Sequence, residues 1–343
     1  MKKRTEGRAT QKKKRTSILW VTDPWKTLDH GKDTTLRLME ESVKLQARGT
    51  PIDTFWCDVK SVHLSENTVH LEARRLESVE AGRSSNAFQW EDLQLEKPDA
   101  FDRIIYRTDP PVDHAYLHPL QMIHLATRGT RSLLVNPAEM LALGNEKFEA
   151  TRLGAFAPAS VVSSTWEILR EFGKKEGKTV LKPLHQAQSK GVELLNWNSS
   201  SEEARARELL IATTEQFSRP VILQRYLPGI EKGEQRLWFL DGKLYAAVRK
   251  LPKKGTFRID MDRGGSLEKT ALSAGEKKAA AAIGKLLTQT RIRMAAVDLI
   301  DGLVTDFNHT SPGLLTPMER ILNRNLAKPI IEALIKPWTG ARA

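Results

Sequence analysis

Residues 17–57 alternate between strand and helix patterns, and no other feature restricts the fold of this 343-residue chain as much. Residues 17–22 form an apolar run of strand length, Asp23 and Pro24 supply a turn, and a helix is predicted from about 34 to 48, where Gly49 ends it. A second strand follows at 52–57 and a third at 101–107, after a polar stretch at 77–100 with no clear period. Strand, helix, strand in this order points to a parallel sheet with crossover helices, because parallel neighbours cannot be joined by a tight turn. A short strand at 133–137 closes this first region, and strands at 179–183, 220–227, 236–240 and 244–249 build a second. An Ala- and Lys-rich helix at 274–289 and a final apolar-striped helix at 317–335 complete the reading. The expected organisation is a basic, disordered tail at 1–16, an N-terminal α/β domain at 17–137 and a second region at 138–343.

The formal net charge of +12 is concentrated at the start of the chain. Eight Lys and Arg against one Glu give the first 15 residues +7, so the remainder carries only +5. This arm lacks an apolar segment, so it reads as neither a secretory signal nor a membrane anchor. A nucleic-acid or membrane-surface role for the arm stays open beside that of a plain solvated tail. No stretch approaches the ~18 apolar residues of a membrane span. A lone Cys57 excludes an internal disulfide framework and fits a reducing compartment, the cytoplasm; inside a strand it reads as a small core residue.

Several enzyme classes are excluded by absence: there is no G-x-x-x-x-G-K-[ST] loop, no G-x-S-x-G elbow and no H-E-x-x-H. His114 and His118 have helical spacing but no third ligand nearby in sequence. The most chemically suggestive stretch is 297–312, where apolar alternation flanks an Asp301-Gly302 turn signal and marks a β-hairpin. It carries Asp298, Asp306 and Asn308, and the last two share a strand face. A strict two-residue loop would pair position 298 with 305 and send Asp298 and Asp306 to opposite faces, so a metal site here requires a three-residue loop over 301–303. Carboxylate and amide oxygens suit a hard cation such as Mg²⁺, and a solvated acidic hairpin is the plain alternative.

Six stretches, in order, carry a resemblance. They are Asp23-Pro24 with Lys32-Asp33-Thr34; Arg107 to Pro111 with Asp113; Asn145-Glu146-Lys147; Leu181 to Leu184; Gln224 to Pro228; and the hairpin ending in Asn308 to Pro312. Over about 17–335 the chain resembles the bacterial glutathione synthetases, members of the ATP-grasp carboxylate–amine ligases. The resemblance implies an ATP-grasp fold preceded by an N-terminal parallel α/β domain. It implies ATP and Mg²⁺, with Mn²⁺ as an alternative, as well as small peptide and amino-acid substrates and a homo-oligomer.

The resemblance also implies site roles. Lys147 and Lys182 would hold the nucleotide phosphates as point charges; Gln224, Tyr226 and Leu227 the adenine; Glu234 the ribose; and Arg236 a phosphate. Asp298, Asp306 and Asn308 would hold metal, while Arg107, Arg258, Gly264, Gly265 and Ser311 would face the peptide. Arg236, Lys182 and Arg258 would act in catalysis. Read without the resemblance, the lysines, Arg107 and the 258–265 loop are equally ordinary surface features. The implied reaction phosphorylates a carboxylate, γ-glutamylcysteine in the family, and an amine, glycine, then attacks the acylphosphate to give glutathione. Loops near 185–191 and 251–265 are the candidate lids. Departures from the family are a phosphate loop with one glycine (185–191), Asp306 in place of a glutamate, Lys250 in place of an arginine, and Phe307 and His309 around Asn308. They leave open a ligase for a different acid and amine, or a nucleotide-binding relative without catalysis.

Overall fold

The computed structural model describes residues 14–80, 87–186 and 190–338. The basic arm up to residue 13, part of the 77–100 stretch and Ser189 of the phosphate loop lie outside these ranges. The first sheet holds β1 (Thr16–Thr22), β2 (Ile52–Asp58), β3 (His63–Ser65), β4 (Thr68–Val79), β5 (Phe88–Trp90), β6 (Gln94–Glu96), β7 (Arg103–Arg107) and β8 (Leu133–Val135). Its main path runs β3-β4-β2-β1-β7-β8, with β5 and β6 paired to β4. β1, β2, β7 and β8 pair in parallel, as the alternation requires. The crossovers are α1 (Thr34–Ala47) and α2 (His114–Thr127), capped by the side chains of Asp33 and Asp113.

Two sequence expectations need correction here. Among the described residues no α-helix bridges β2 and β7; the chain makes an antiparallel excursion instead, and β4 pairs with β2. β4 alternates buried Val69, Leu71 and Ala73 with exposed partners, so its period-2 signal is present but diluted by charged residues on the solvent face. The single C-terminal helix is two, α8 (Leu315–Leu322) and α9 (Ala327–Leu334), separated at Asn323, whose φ of 49° is left-handed.

After α3 (Ala138–Leu143) and α4 (Glu146–Thr151) come two antiparallel sheets. The smaller, in the order β11-β10-β12-β9, contains β9 (Ser160–Ser163), β10 (Lys178–Pro183), β11 (Glu193–Asn196) and β12 (Val221–Arg225), with α5 (Trp166–Glu176) and α6 (Ser200–Thr213) on one face. The larger, in the order β15-β14-β13-β16-β17, contains β13 (Glu234–Leu240), β14 (Lys243–Leu251), β15 (Ser266–Lys269), β16 (Met294–Ile300) and β17 (Leu303–Asn308). It packs on α7 (Ala274–Gln289), which Ser273 and Glu276 open with a capping box.

One core joins the two ends of the chain: Leu36, Met39 and Val43 of α1 pack with Leu315, Met318, Ile330 and Leu334 of the last helices and with Trp238 of β13. Glu319 fastens this junction. Its carboxylate accepts from Arg37 Nε at 2.7 Å and from the backbone N–H groups of Leu326 and Ala327 at 2.6 and 3.0 Å, so one side chain both caps α9 and holds α1. Glu319→Ala takes from the half-buried Arg37 one of its two hydrogen-bonded carboxylates, leaving Glu41, and uncaps α9, and urea unfolding is expected to show a loss of about 2–3 kcal/mol. A loss below about 0.5 kcal/mol, the level of an ordinary surface change, would exclude this role.

Candidate active site

A cleft of about 1030 Å³ lies where the three sheets converge. Its larger-sheet wall is a row of charges set by strand register. Lys250 on β14 stands opposite Glu234 on β13, Arg236 on β13 opposite Asp298 on β16, and Asp298 opposite Asp306 on β17. The last pairing corrects the loop expectation. The turn is a two-residue one, with φ of 51° at Asp301 and 78° at Gly302, and Ile300 pairs with Leu303. A bulge between Asp298 and Leu299 restores the 298–306 register, so the two carboxylates share a face without a longer loop. The bulged residue, Thr305, turns its carbonyl to accept from Lys182 Nζ at 2.7 Å.

Asp298 is buried and accepts Arg236 through both of its oxygens, at 2.7 and 2.6 Å, and Lys250 at 3.0 Å. Burial alone would raise its carboxyl, but the charges of Arg236 and Lys250 outweigh that and bring it down to about 2. Lys250 also pairs with Glu234, whose own carboxyl burial raises. Asp306 differs: its Oδ1 is buried with no hydrogen-bond partner among the described residues. Asn308 donates its amide to Ala296 O at 3.1 Å. The set therefore fits a hard cation, with the Asp306 carboxylate and the Asn308 and Asp298 oxygens as donors.

The facing wall comes from the smaller sheet and α4. Lys182 on β10 donates to Gln224 Oε1 at 3.0 Å, and burial lowers its pKa, an effect the Asp306 charge partly offsets. Lys147 Nζ reaches Gln186 O at 2.9 Å. Tyr226, Leu227 and Ile300 add an apolar strip, over which Phe257 and Ile259 of the 251–265 loop pack. Arg258 on that loop pairs with Glu193 of the smaller sheet at 2.7 Å, linking the two sheets across the cleft. At the N-terminal wall, Arg107 donates to Thr35 Oγ1 and Pro312 O, both at 2.9 Å, and Ser311 lies beside it.

Every site residue expected from the sequence lines this cleft except Gly264 and Gly265. Those two shape the loop behind it: Gly264 has φ of 99°, and a side chain on Gly265 would meet the Asp260 backbone at 2.8 Å. His114 and His118 stack on each other, and no metal-binding cluster of three His, Cys, Asp or Glu forms among the described residues. Cys57 is buried in β2, as expected, which pushes its thiol up to about 12. Sequence reasoning missed Glu146. One of its oxygens accepts from His309 N, Thr310 N and Thr310 Oγ1 at 2.8–2.9 Å, fixing the backbone between Asn308 and Ser311. Its place in the Asn145-Glu146-Lys147 stretch was the available signal. No helix among the described residues is long and apolar enough to cross a membrane.

Comparison with known proteins agrees with this geometry. Residues 17–141 match the prokaryotic glutathione synthetase N-terminal domain and residues 146–323 the prokaryotic glutathione synthetase ATP-grasp domain. A glutathione synthetase of Parasynechococcus marenigrum is 34% identical over 234 residues, covering 68% of this chain and 75% of the relative. One of Nostoc sp. is 28% identical over 323 residues, covering 92% and 96%. Among solved structures, D-cycloserine synthetase DcsG superposes with a TM-score of 0.64 at 16% identity, covering 93% of this chain and 98% of that one. The chain thus belongs to the prokaryotic glutathione synthetase family, and it is an ATP-dependent carboxylate–amine ligase with an N-terminal α/β domain and an ATP-grasp fold.

Proposed function

We propose that this chain joins γ-glutamylcysteine to glycine, giving glutathione, ADP and phosphate. The observation that carries the reading is the meeting of Lys147, Lys182 and Asp306, from α4, β10 and β17, in one cleft whose other wall presents Arg107. Lys147 and Lys182 flank the phosphates of ATP as fixed cations, Gln224, Tyr226 and Leu227 receive adenine, and Glu234 receives the ribose hydroxyls. Arg236 contributes a positive charge that Asp298 holds in place. Asp298, Asp306 and Asn308 would hold Mg²⁺, with Mn²⁺ as an alternative of similar oxygen preference; when bound, the ion would neutralise phosphate charge.

An oxygen of the substrate carboxylate attacks the γ-phosphorus, and the bond to the β-phosphate oxygen breaks, releasing ADP. The amine nitrogen then attacks the acyl carbon, the bond to the phosphate oxygen breaks, and the amine loses a proton. No protein nucleophile is needed, so the side chains position the reactants, stabilise negative charge and exclude water from the acylphosphate. Arg258 and the 251–265 loop serve that exclusion. The lone, buried Cys57 fits a cytoplasmic setting.

A second reading, a ligase for another acid and amine, is favoured by the single glycine at 185–191 and by Lys250 and Asp306. ADP release with Mg²⁺ and ATP, in the presence of γ-glutamylcysteine plus glycine and of each alone, separates the two. Release that needs both substrates, with matching glutathione, is the expected result. Nucleotide binding without that turnover would transfer the assignment to a different substrate pair.

A further inference from the structure

The chain leaves the larger sheet at Asn308, the last paired residue of β17, and continues through His309 and Thr310 to Ser311. Past the end of a ladder, buried backbone N–H groups must find other acceptors. Those of His309 and Thr310 both donate to one oxygen of Glu146, at 2.8 and 2.9 Å, and the Thr310 hydroxyl donates to the same oxygen at 2.9 Å. Residue 309 is held from two further sides: Asn136 Nδ2 donates to its carbonyl at 2.7 Å, and its own Nε2 donates to Met140 O at 3.0 Å. Both residues are buried. The chain neighbours of Glu146 serve the other sheet. Asn145 caps α4 and donates to Leu184 O at 3.0 Å, while Lys147 Nζ donates to Gln186 O at 2.9 Å, so both hold the entry to the phosphate loop. One helical turn thus ties the exit of β17, with its cation donor Asn308, to the loop that faces the phosphates.

We propose that Glu146 is a positioning residue for the cation site: as a triple acceptor it fixes residues 309–310 and thereby sets the Asn308 oxygen against Lys147 and the phosphates. It acts through the reach of its oxygen, not through its charge, because all three of its donors are neutral groups. The proposal rests on the assignment of Asp306 and Asn308 as cation donors. Glu146 itself lines the cleft, so the competing reading is that its carboxylate touches the ion directly.

Two conservative variants of the full chain separate reach from charge. Glu146→Gln keeps an acceptor oxygen at the same reach and loses the charge; Glu146→Asp keeps the charge and withdraws the oxygen by one methylene. The affinity of a non-hydrolysable ATP analogue is measured first without metal, and Mg²⁺ is then titrated calorimetrically into the saturated complex. Analogue affinity should stay within about threefold of wild type in both variants, since Lys147 and Lys182 are retained. Mg²⁺ affinity should stay within about threefold in Glu146→Gln and fall about tenfold in Glu146→Asp, the worth of a hydrogen bond. A loss in Glu146→Gln that equals or exceeds the loss in Glu146→Asp would assign the effect to direct contact with the ion and overturn the proposal, as would wild-type Mg²⁺ affinity in Glu146→Asp. Amide hydrogen exchange on the ligand-free protein gives a readout that needs no metal. The His309 and Thr310 amides should be protected in wild type and in Glu146→Gln and exchange about tenfold faster in Glu146→Asp. Fast exchange in wild type, or undiminished protection in Glu146→Asp, overturns the anchoring role. If Glu146→Asp does not fold, exchange in wild type and Glu146→Gln decides: protection in both supports the anchor, and loss in Glu146→Gln overturns it. If wild type takes up no Mg²⁺, the cation assignment fails by itself and the exchange comparison still decides whether Glu146 holds the segment.

Discussion

Replacing Asp306 with alanine is expected to lower ligase turnover about a thousandfold with little change in the stability of the ligand-free protein. The two halves of this expectation have one cause. Asp306 Oδ1 is buried without a partner among the described residues, so in the ligand-free state the carboxylate carries a desolvation cost that its hydrogen bonding does not offset. Removing it relieves that cost but also withdraws a counter-charge from the buried Lys182, so thermal unfolding should show the variant within about 1 kcal/mol of wild type. What disappears is the response to ligand. Wild type should gain thermal stability when Mg²⁺ and ATP analogue are added together, by mass action on the native state, and Asp306→Ala should gain little from Mg²⁺. The loss should also reach Lys182, whose buried ammonium is supported by the Asp306 charge, so ATP affinity falls as well. Unchanged turnover and an unchanged Mg²⁺-dependent shift would remove Asp306 from the metal site.

Asp306 also marks how far the sequence could be read. Apolar alternation and the Asp301-Gly302 signal located the hairpin, because both are local. The bulge that brings Asp306 opposite Asp298 was not legible, because it breaks the period-2 pattern within the hairpin and its extra residue, Thr305, is held by Lys182, 123 residues away in sequence. β4 was overlooked for a related reason: its solvent face carries Glu72, Arg74 and Glu77, and it is held by pairing with β2, β3, β5 and β6 rather than by its own pattern. The apolar stripe of residues 317–335 was visible, but the break at Asn323 depends on Glu319 capping the following helix. Among site residues, Lys147, Lys182 and Arg236 came from motif resemblance, not from periodicity. Once folded, each is fixed by a specific neighbour: Gln186, Gln224 and Asp298. Gly264 and Gly265 also came from resemblance, and here they shape the loop whose Asp260 and Arg263 line the cleft.

The network around Asp298 should respond most strongly to removal of a single partner. Arg236→Met removes the two-point clamp on a buried carboxylate and leaves it with Lys250 alone, which already pairs with Glu234. Breaking a buried ion pair on one side typically costs about 3–5 kcal/mol, because the remaining charge is neither solvated nor matched. The same reasoning predicts that Arg236→Met combined with Asp298→Leu recovers most of that loss while remaining inactive, since two apolar groups need no counter-charge. The pH dependence identifies the cause. In wild type, Asp298 is held near 2, below its unfolded value, so its contribution is present above about pH 4 and would fade only as pH falls towards 2. In Arg236→Met only Lys250, shared with Glu234, opposes the effect of burial, so the folded-state carboxyl is expected to rise above its unfolded value and the charged form to become a liability as pH increases. The stability deficit of the single variant should therefore narrow when urea unfolding is repeated at about pH 5 instead of pH 7. A deficit independent of pH would assign the loss to the missing packing of the arginine stem and not to a stranded charge.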